Sequence, residues 1–292
     1  MPELPEVETI ARQLNEVLVG QRIVKIEVLS KKSFVGKKNE IKSKKILGVK
    51  RRAKMAIIEL ASSDQRLASS YLLIHLKMTG QLIYQDLRNP STGSTALTTS
   101  SLRTNKHTRV IFHLSKGRLF FNDQRLFGWI KVVDSEGLKR EFKNYGPDII
   151  DKAVTQEYFY SMLQKSRRAV KLVIIDQAKI AGVGNIYVNE GLWRVRIDPR
   201  RPANRIRRQE SNKLLAGLKQ VVRKGIKYGG ATASDEAFVN ASGLGGKYQE
   251  HFLVYEQAGE KCHRPACRQA GVKIKKIRLG GRGTYYCPGC QK

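Results

Sequence analysis

Four cysteines stand near the end of the chain, spaced Cys262-x4-Cys267-x19-Cys287-x2-Cys290. Two close pairs separated by a hairpin-length spacer suit a tetrahedral Zn²⁺, because each pair forms a knuckle whose thiolates converge on the ion. The intervening KIKKIRLGGRGTYY reads as two strands joined at Gly280-Gly281. A module this small lacks a core and is folded by its metal. Two disulfides or four free thiols are the other readings. The absence of a secretory pattern at the N-terminus argues against disulfides. His263 is a substitute ligand by type, although it sits directly beside Cys262.

The other end reads Met1-Pro2-Glu3-Leu4-Pro5-Glu6-Val7-Glu8-Thr9. Removal of Met1 would leave Pro2 with a free secondary amine. An α-amino group titrates near ~7.7–8, so a useful fraction is neutral at physiological pH. A neutral amine can attack a sugar C1′ and form a Schiff base, with Glu3 beside it as acid or base. The same residues also suit an ordinary helix start, where Pro and carboxylates are favoured.

The 292 residues carry 55 Lys+Arg against 25 Asp+Glu, a net charge of +30. Neither half of the chain is neutral, so the excess is not a basic tail. Such a field over a globular chain suits a polyanion, most often nucleic acid. The plainer reading is a surface kept soluble by Lys and Arg. An apolar fraction of 41% excludes a wholly disordered chain. The longest apolar runs, such as YLLIHL at 71–76, fall far short of the ~18–20 residues of a membrane span. A soluble, cytoplasmic protein is expected, with no membrane partner, no organic cofactor and no sign of an oligomer.

The elements that must position these groups change along the chain. Val7, Ile10, Leu14, Val17 and Leu18 recur at helical spacing. After Gly20, eight short β-branched or aromatic runs follow by about residue 133, which suggests an antiparallel sandwich or barrel. Residues 88–105 interrupt them with a Ser/Thr-rich insertion that has no apolar period. NYGPDII at 144–150 reads as a linker, and helical periods follow it. Residues 229–247 are Gly-rich and read as a flexible loop. The expected class is α+β and multidomain. Its parts are a β-sandwich with a flanking helix at 1–146, a helical domain at 147–254 and a zinc finger at 255–292.

PELPEVET resembles the N-terminus of the formamidopyrimidine-DNA glycosylase family, bacterial-type base-excision repair enzymes for oxidised purines. The likeness continues through Arg51-Arg52-Ala53-Lys54, His75-Leu76-Lys77-Met78-Thr79-Gly80, Asp123-Gln124-Arg125-Leu126-Phe127-Gly128 and Gly182-Val183-Gly184-Asn185-Ile186-Tyr187, and ends with the cysteine module. These landmarks follow family order over essentially the whole chain. The resemblance implies a β-sandwich, a helix–two-turn–helix domain and a C-terminal zinc finger, with damaged double-stranded DNA bound between domains.

The resemblance also implies roles. Pro2 is the nucleophile at C1′ and Glu3 the proton donor that helps open the sugar. Lys54 contacts the lesion phosphate and assists β-elimination, and Arg282 binds phosphate and assists δ-elimination. Met78, Arg125 and Phe127 fill the hole left by the flipped nucleotide, as apolar wedges do elsewhere, with Arg125 facing the orphaned base. Asn185 opens a helix whose exposed amides suit a phosphate. His107 and Arg167 align with phosphate-contacting positions, and Lys171 with the lesion pocket. Residues 229–247 match the lesion-capping loop in position. One structural Zn²⁺ is held by the four cysteines. The departures are Leu126 for a second Arg, Lys77 for a common Gly, the insertion before His107 and the widened first cysteine pair. Two alternatives stand beside this reading. One is the sister group acting on oxidised pyrimidines, which generally begins Pro-Glu-Gly-Pro where this chain has Leu4. The other is a non-catalytic zinc-ribbon protein that binds nucleic acid structurally.

Overall fold

The computed structural model describes residues 1–61, 68–87, 105–232 and 238–292. Most of the expected insertion, 88–104, lies outside them, as does 233–237 within the Gly-rich stretch. The chain folds into two compact units. The first is Met1–Lys143 with Tyr228–Lys247, and the second is Asn144–Lys227 with Tyr248–Lys292.

The first unit opens with helix α1 (Leu4–Leu18). The strands that follow are β1 (Ile23–Val28), β2 (Phe34–Val35), β3 (Ile46–Arg52), β4 (Met55–Ala61), β5 (Ala68–His75), β6 (Gly80–Asp86), β7 (Thr108–Leu114), β8 (Gly117–Asp123) and β9 (Trp129–Val133), and helix α2 (Ser135–Phe142) closes the run. One sheet has the order β1-β7-β8-β6 and the other β2-β9-β5-β4-β3. All pairings are antiparallel except the short β2–β9 contact. This is the expected β-sandwich. Its core takes alternate residues of both sheets, including Ile58, Leu72, Ile74, Leu82, Phe112 and Phe121. The apolar stripe of α1 (Val7, Ile10, Leu14 and Leu18) joins the same core. The 3.6-residue period thus anchors the helix that Pro2 and its N-cap Glu3 precede.

Residues 228–247 pack within this first unit, although in sequence they fall inside 147–254. Phe238 and Ala241 are buried in the sandwich core. The N–H of Ala241 donates to the Gln13 side chain on α1 at 3.0 Å, and Tyr84 on β6 donates to the Ala241 carbonyl at 2.9 Å. The stem closes where Lys247 N–H meets the Tyr228 carbonyl at 3.0 Å. The described ends of the Gly-rich stretch are therefore fastened. Gly and Ala are its commonest residues, and Phe238 and Ala241 do the fastening.

The second unit contains α3 (Gln156–Gln164), α4 (Val170–Ile174), α5 (Asn185–Arg194) and α6 (Arg208–Lys227). Between α4 and α5 the chain turns twice. One turn is at Asp176–Lys179, and the other is at Gly182, whose φ of 91° lies in the left-handed region. The Gln177 side chain braces both, bonding the carbonyls of Ile175 and Val183 and the N–H of Gly182. After a short helix α7 (Pro265–Gln269), the antiparallel hairpin β10 (Lys275–Leu279) and β11 (Arg282–Tyr286) ends the fold. Among the described residues, no helix is long and apolar enough to cross a membrane.

Candidate active site

In the first unit, the candidate groups gather on turns that α1 and two buried carboxylates hold in place. Glu3 is the N-cap of α1, in a reciprocal capping box: its side chain takes the N–H of Glu6, and Glu6 takes the N–H of Glu3 at 2.8 Å. Pro2 and Glu3 are both buried. The box fixes two orphan amides of the helix start and, with them, the peptide that follows Pro2.

Lys54 lies in the two-residue turn between β3 and β4, beside Ala53 at a φ of 54°. It is only 5% exposed. A second carboxylate on α1 secures this turn. Glu8 accepts from Arg51 at 2.7 Å, and Arg51 donates to the Ala53 carbonyl at 3.0 Å. Burial acts to raise the Glu8 carboxyl, but hydrogen bonds from Arg51 and Arg12 outweigh it and hold Glu8 below the usual carboxylate range. Helix α1 thus carries the Pro2–Glu3 end and also clamps the lysine turn.

His75, at the end of β5, pairs in register with Met55, the residue after Lys54. Burial pushes its pKa down to about 3, helped by the charges of Lys77 and Lys54. Its Nδ1 accepts from the Lys77 N–H at 3.0 Å, so the neutral ring carries its proton on Nε2. Sequence reasoning included His75 in a motif but assigned it no role.

Met78 sits in the turn after His75, and Arg125 and Phe127 in the turn between β8 and β9. Asp123 joins the two turns. One of its oxygens accepts from the Thr79 hydroxyl and, at 3.2 Å, from the Arg125 N–H. The other accepts from the Gly128 N–H at 2.7 Å. A Cβ on Gly128 would fall 2.8 Å from the Phe121 ring and 3.1 Å from Asp123 Oδ2, so this approach requires glycine. Phe127 is 52% exposed with the Arg125 guanidinium over its ring, so it is no core residue. His107 reaches the same place from β7, its carbonyl accepting the Asp123 N–H at 2.9 Å. Asp123 was missed as an organiser. The Asp that opens DQRLFG could have flagged it, since aspartate commonly orders a following turn.

In the second unit, α5 grips strand β11. Asn185 Nδ2 donates to the Gly283 carbonyl at 3.1 Å, and the Tyr285 N–H donates to Asn189 Oδ1 at 3.1 Å. Lys171 is fully buried and donates to the same Gly283 carbonyl at 3.0 Å and to Thr284 Oγ1 at 2.6 Å. Its ammonium therefore bonds two successive residues of β11. Arg282, adjacent to Gly283, is exposed, and Asn185 and Arg282 are brought together through Gly283. Arg167 is exposed between α3 and α4.

The four cysteines converge, with every Sγ within 4.8 Å of the others. Thiolates at about 2.3 Å from a tetrahedral Zn²⁺ lie about 3.8 Å apart, so the set fits that ion. Val272 closes the first knuckle, accepting from Cys262 and donating to Cys267. Gln291 closes the second, accepting the Cys287 N–H at 2.8 Å. The widened first pair is accommodated by α7, which begins at Pro265. His263 is exposed and lies outside the cluster, so it is not a substitute ligand.

Residues 1–130 match the formamidopyrimidine-DNA glycosylase N-terminal domain, and residues 145–237 match the H2TH domain of the same family. The formamidopyrimidine-DNA glycosylase of Pelotomaculum thermopropionicum is 37% identical, over 100% of this chain and 99% of that protein. That of Lactococcus lactis is 34% identical over 100% of both. Among solved structures, wild-type Lactococcus lactis Fpg bound to DNA containing N7-benzyl-Fapy-dG is similar at a TM-score of 0.84 and 32% identity, covering 100% of both chains. The same organism's Fpg with DNA containing an abasic site gives a TM-score of 0.84 at 31% identity, covering 99% of each chain.

Proposed function

The chain belongs to the formamidopyrimidine-DNA glycosylase family, and on that premise we propose that it is a bifunctional DNA-repair enzyme, a glycosylase for oxidised purines and an apurinic/apyrimidinic lyase. The observation that carries the reading is the buried Pro2–Glu3 pair, fixed by the capping box at the mouth of α1.

After loss of Met1, the Pro2 nitrogen attacks C1′ of the flipped nucleotide. The glycosidic bond breaks and its electron pair leaves with the base. Glu3 donates a proton to the ring oxygen, the sugar opens, and the nitrogen and C1′ become an imine. Loss of a C2′ proton then expels the 3′ phosphate, and a second elimination expels the 5′ phosphate. Hydrolysis returns Pro2 as a free amine. Lys54 holds the lesion phosphate for the first elimination and Arg282 a phosphate for the second. Met78, Phe127 and Arg125 occupy the vacated stack. Asn185, His107 and Arg167 contact the backbone. A zinc ion held by Cys262, Cys267, Cys287 and Cys290 would fix the hairpin that bears Arg282. The working division is into three domains, 1–146, 147–254 and 255–292, and the enzyme acts as a monomer on double-stranded DNA in the cytoplasm.

Borohydride trapping on a duplex with 8-oxoguanine opposite cytosine tests this. A covalent adduct mapped to Pro2 is expected, with Pro2→Gly losing turnover far more than binding. No adduct on this duplex or on a plain abasic site, with Met1 removed, would leave a DNA-binding protein without the chemistry.

A further inference from the structure

The Glu6 carboxylate is fully buried and serves two distant stretches of chain at once. Its Oε2 accepts the Glu3 N–H at 2.8 Å, and its Oε1 accepts the Ala231 N–H at 2.8 Å. The Glu3 N–H belongs to the peptide that joins Pro2 to Glu3. That peptide is planar, so holding its N–H fixes the plane in which the Pro2 Cα lies, and the ring nitrogen is bonded to that Cα. Gly230 lies against the same side chain, with a φ of 83°. A Cβ there would fall 2.9 Å from Glu6 Cγ, 3.0 Å from Oε1 and 3.1 Å from Cα. Neither the carboxylate nor the 230–231 backbone can shift without displacing the other.

We infer that Glu6 is a positioning residue that couples the 230–231 backbone to the Pro2 amine. The inference rests on the reading of Pro2 as the nucleophile. A displacement at Gly230 moves the carboxylate, the carboxylate turns the Pro2–Glu3 peptide, and the nitrogen loses its line to C1′. The effect must therefore appear on a substrate with no base for the 228–247 segment to touch.

The experiment times borohydride trapping on a plain abasic-site duplex, with affinity measured separately on an uncleavable tetrahydrofuran duplex. Gly230→Ala and Glu6→Gln are each expected to slow trapping by about tenfold or more, the scale of one lost charge-assisted hydrogen bond, with affinity unchanged. The double variant should be no slower than the slower single, because both break one link. Lys139→Ala removes only the exposed pair to Glu136 on α2, and should trap at the wild-type rate. Trapping by Gly230→Ala at the wild-type rate, or losses that multiply in the double variant, would overturn the coupling. If Gly230→Ala does not fold, Glu6→Asp replaces it: its shorter side chain cannot span both amides, so slowed trapping supports the coupling and a wild-type rate overturns it. Failure of the wild-type protein to trap at all refutes the Pro2 reading itself, which the control without variants reveals.

Discussion

The buried carboxylate of Asp123 accepts the Thr79 hydroxyl at 2.5 Å, across 44 residues of sequence, and so ties the turn bearing Met78 to the turn bearing Arg125 and Phe127. On the proposed function the two turns enter one gap in a DNA stack, and a shared anchor would hold them in step. Asp123 supplies it with three further contacts: the Arg125 N–H, the Gly128 N–H and, through its own backbone, the His107 carbonyl.

Asp123→Asn tests that anchor. The amide keeps the shape but turns one acceptor into a donor facing a donor. A loss of about 2–3 kcal/mol in urea unfolding is expected, the scale of a broken buried charged hydrogen bond. Discrimination between lesion-bearing and undamaged duplex should fall with it. A variant that is destabilised yet discriminates as well as wild type would show that the turns are set by something else.

Lys77 carries a φ of 53° where the resembled family commonly has Gly. A left-handed conformation costs an L-residue about 1–2 kcal/mol, while Gly costs about 0.5–1 in added unfolded-state entropy. Conformational relief is the larger quantity. Lys77→Gly is therefore expected to raise stability by about 0.5–1 kcal/mol, seen as a higher urea midpoint at unchanged slope. A lower midpoint would mean that the lysine side chain contributes more than its backbone costs.

His75 gives the fold an acid sensitivity of definite sign. Its folded pKa of about 3 lies below the ordinary value of 6.5, through burial first and then the charges of Lys77 and Lys54. Above about pH 6.5 both states hold a neutral ring and nothing changes with pH. As pH falls from there toward about 3, the unfolded chain takes a proton that the folded chain refuses. Stability then drops by up to about 1.4 kcal/mol per pH unit. His75→Gln should flatten urea midpoints between about pH 6.5 and 4. Parallel profiles for variant and wild type would show that the ring protonates in place.

How far the site was legible depends on sequence separation. The cysteine cluster and the helix start were readable because ligand spacing and capping are local. The sandwich was readable because strand period and turn residues are local. Asp123 and Glu6 were not, because their meaning lies in partners far along the chain, Ala231 standing 225 residues from Glu6. Phe238 and Ala241 were hidden for a different reason: in a Gly- and Ala-rich stretch they show no period, yet both reach the core. The burial of Lys171, like the partners of Asp123 and Glu6, was not legible, since its acceptors on Gly283 and Thr284 stand 112 and 113 residues along the chain.

The zinc module offers the sharpest separation of fold from chemistry. Four sulfurs within 4.8 Å of one another repel as thiolates and need a cation between them. One zinc per chain is expected by elemental analysis, and Cys290→Ser should lose it. Among the described residues, the core of the first unit draws on both sheets of the sandwich, α1, Phe238 and Ala241, and none of it comes from the cysteine module. Metal loss should therefore leave the sandwich folded while freeing the hairpin that bears Arg282. Far-UV circular dichroism should change little, affinity for duplex should drop, and strand cleavage should stop after the first elimination, leaving a 3′ aldehyde in place of a 3′ phosphate. Stoichiometric zinc in Cys290→Ser would remove the four-cysteine site. Complete double elimination in a metal-free protein would remove the role given to Arg282.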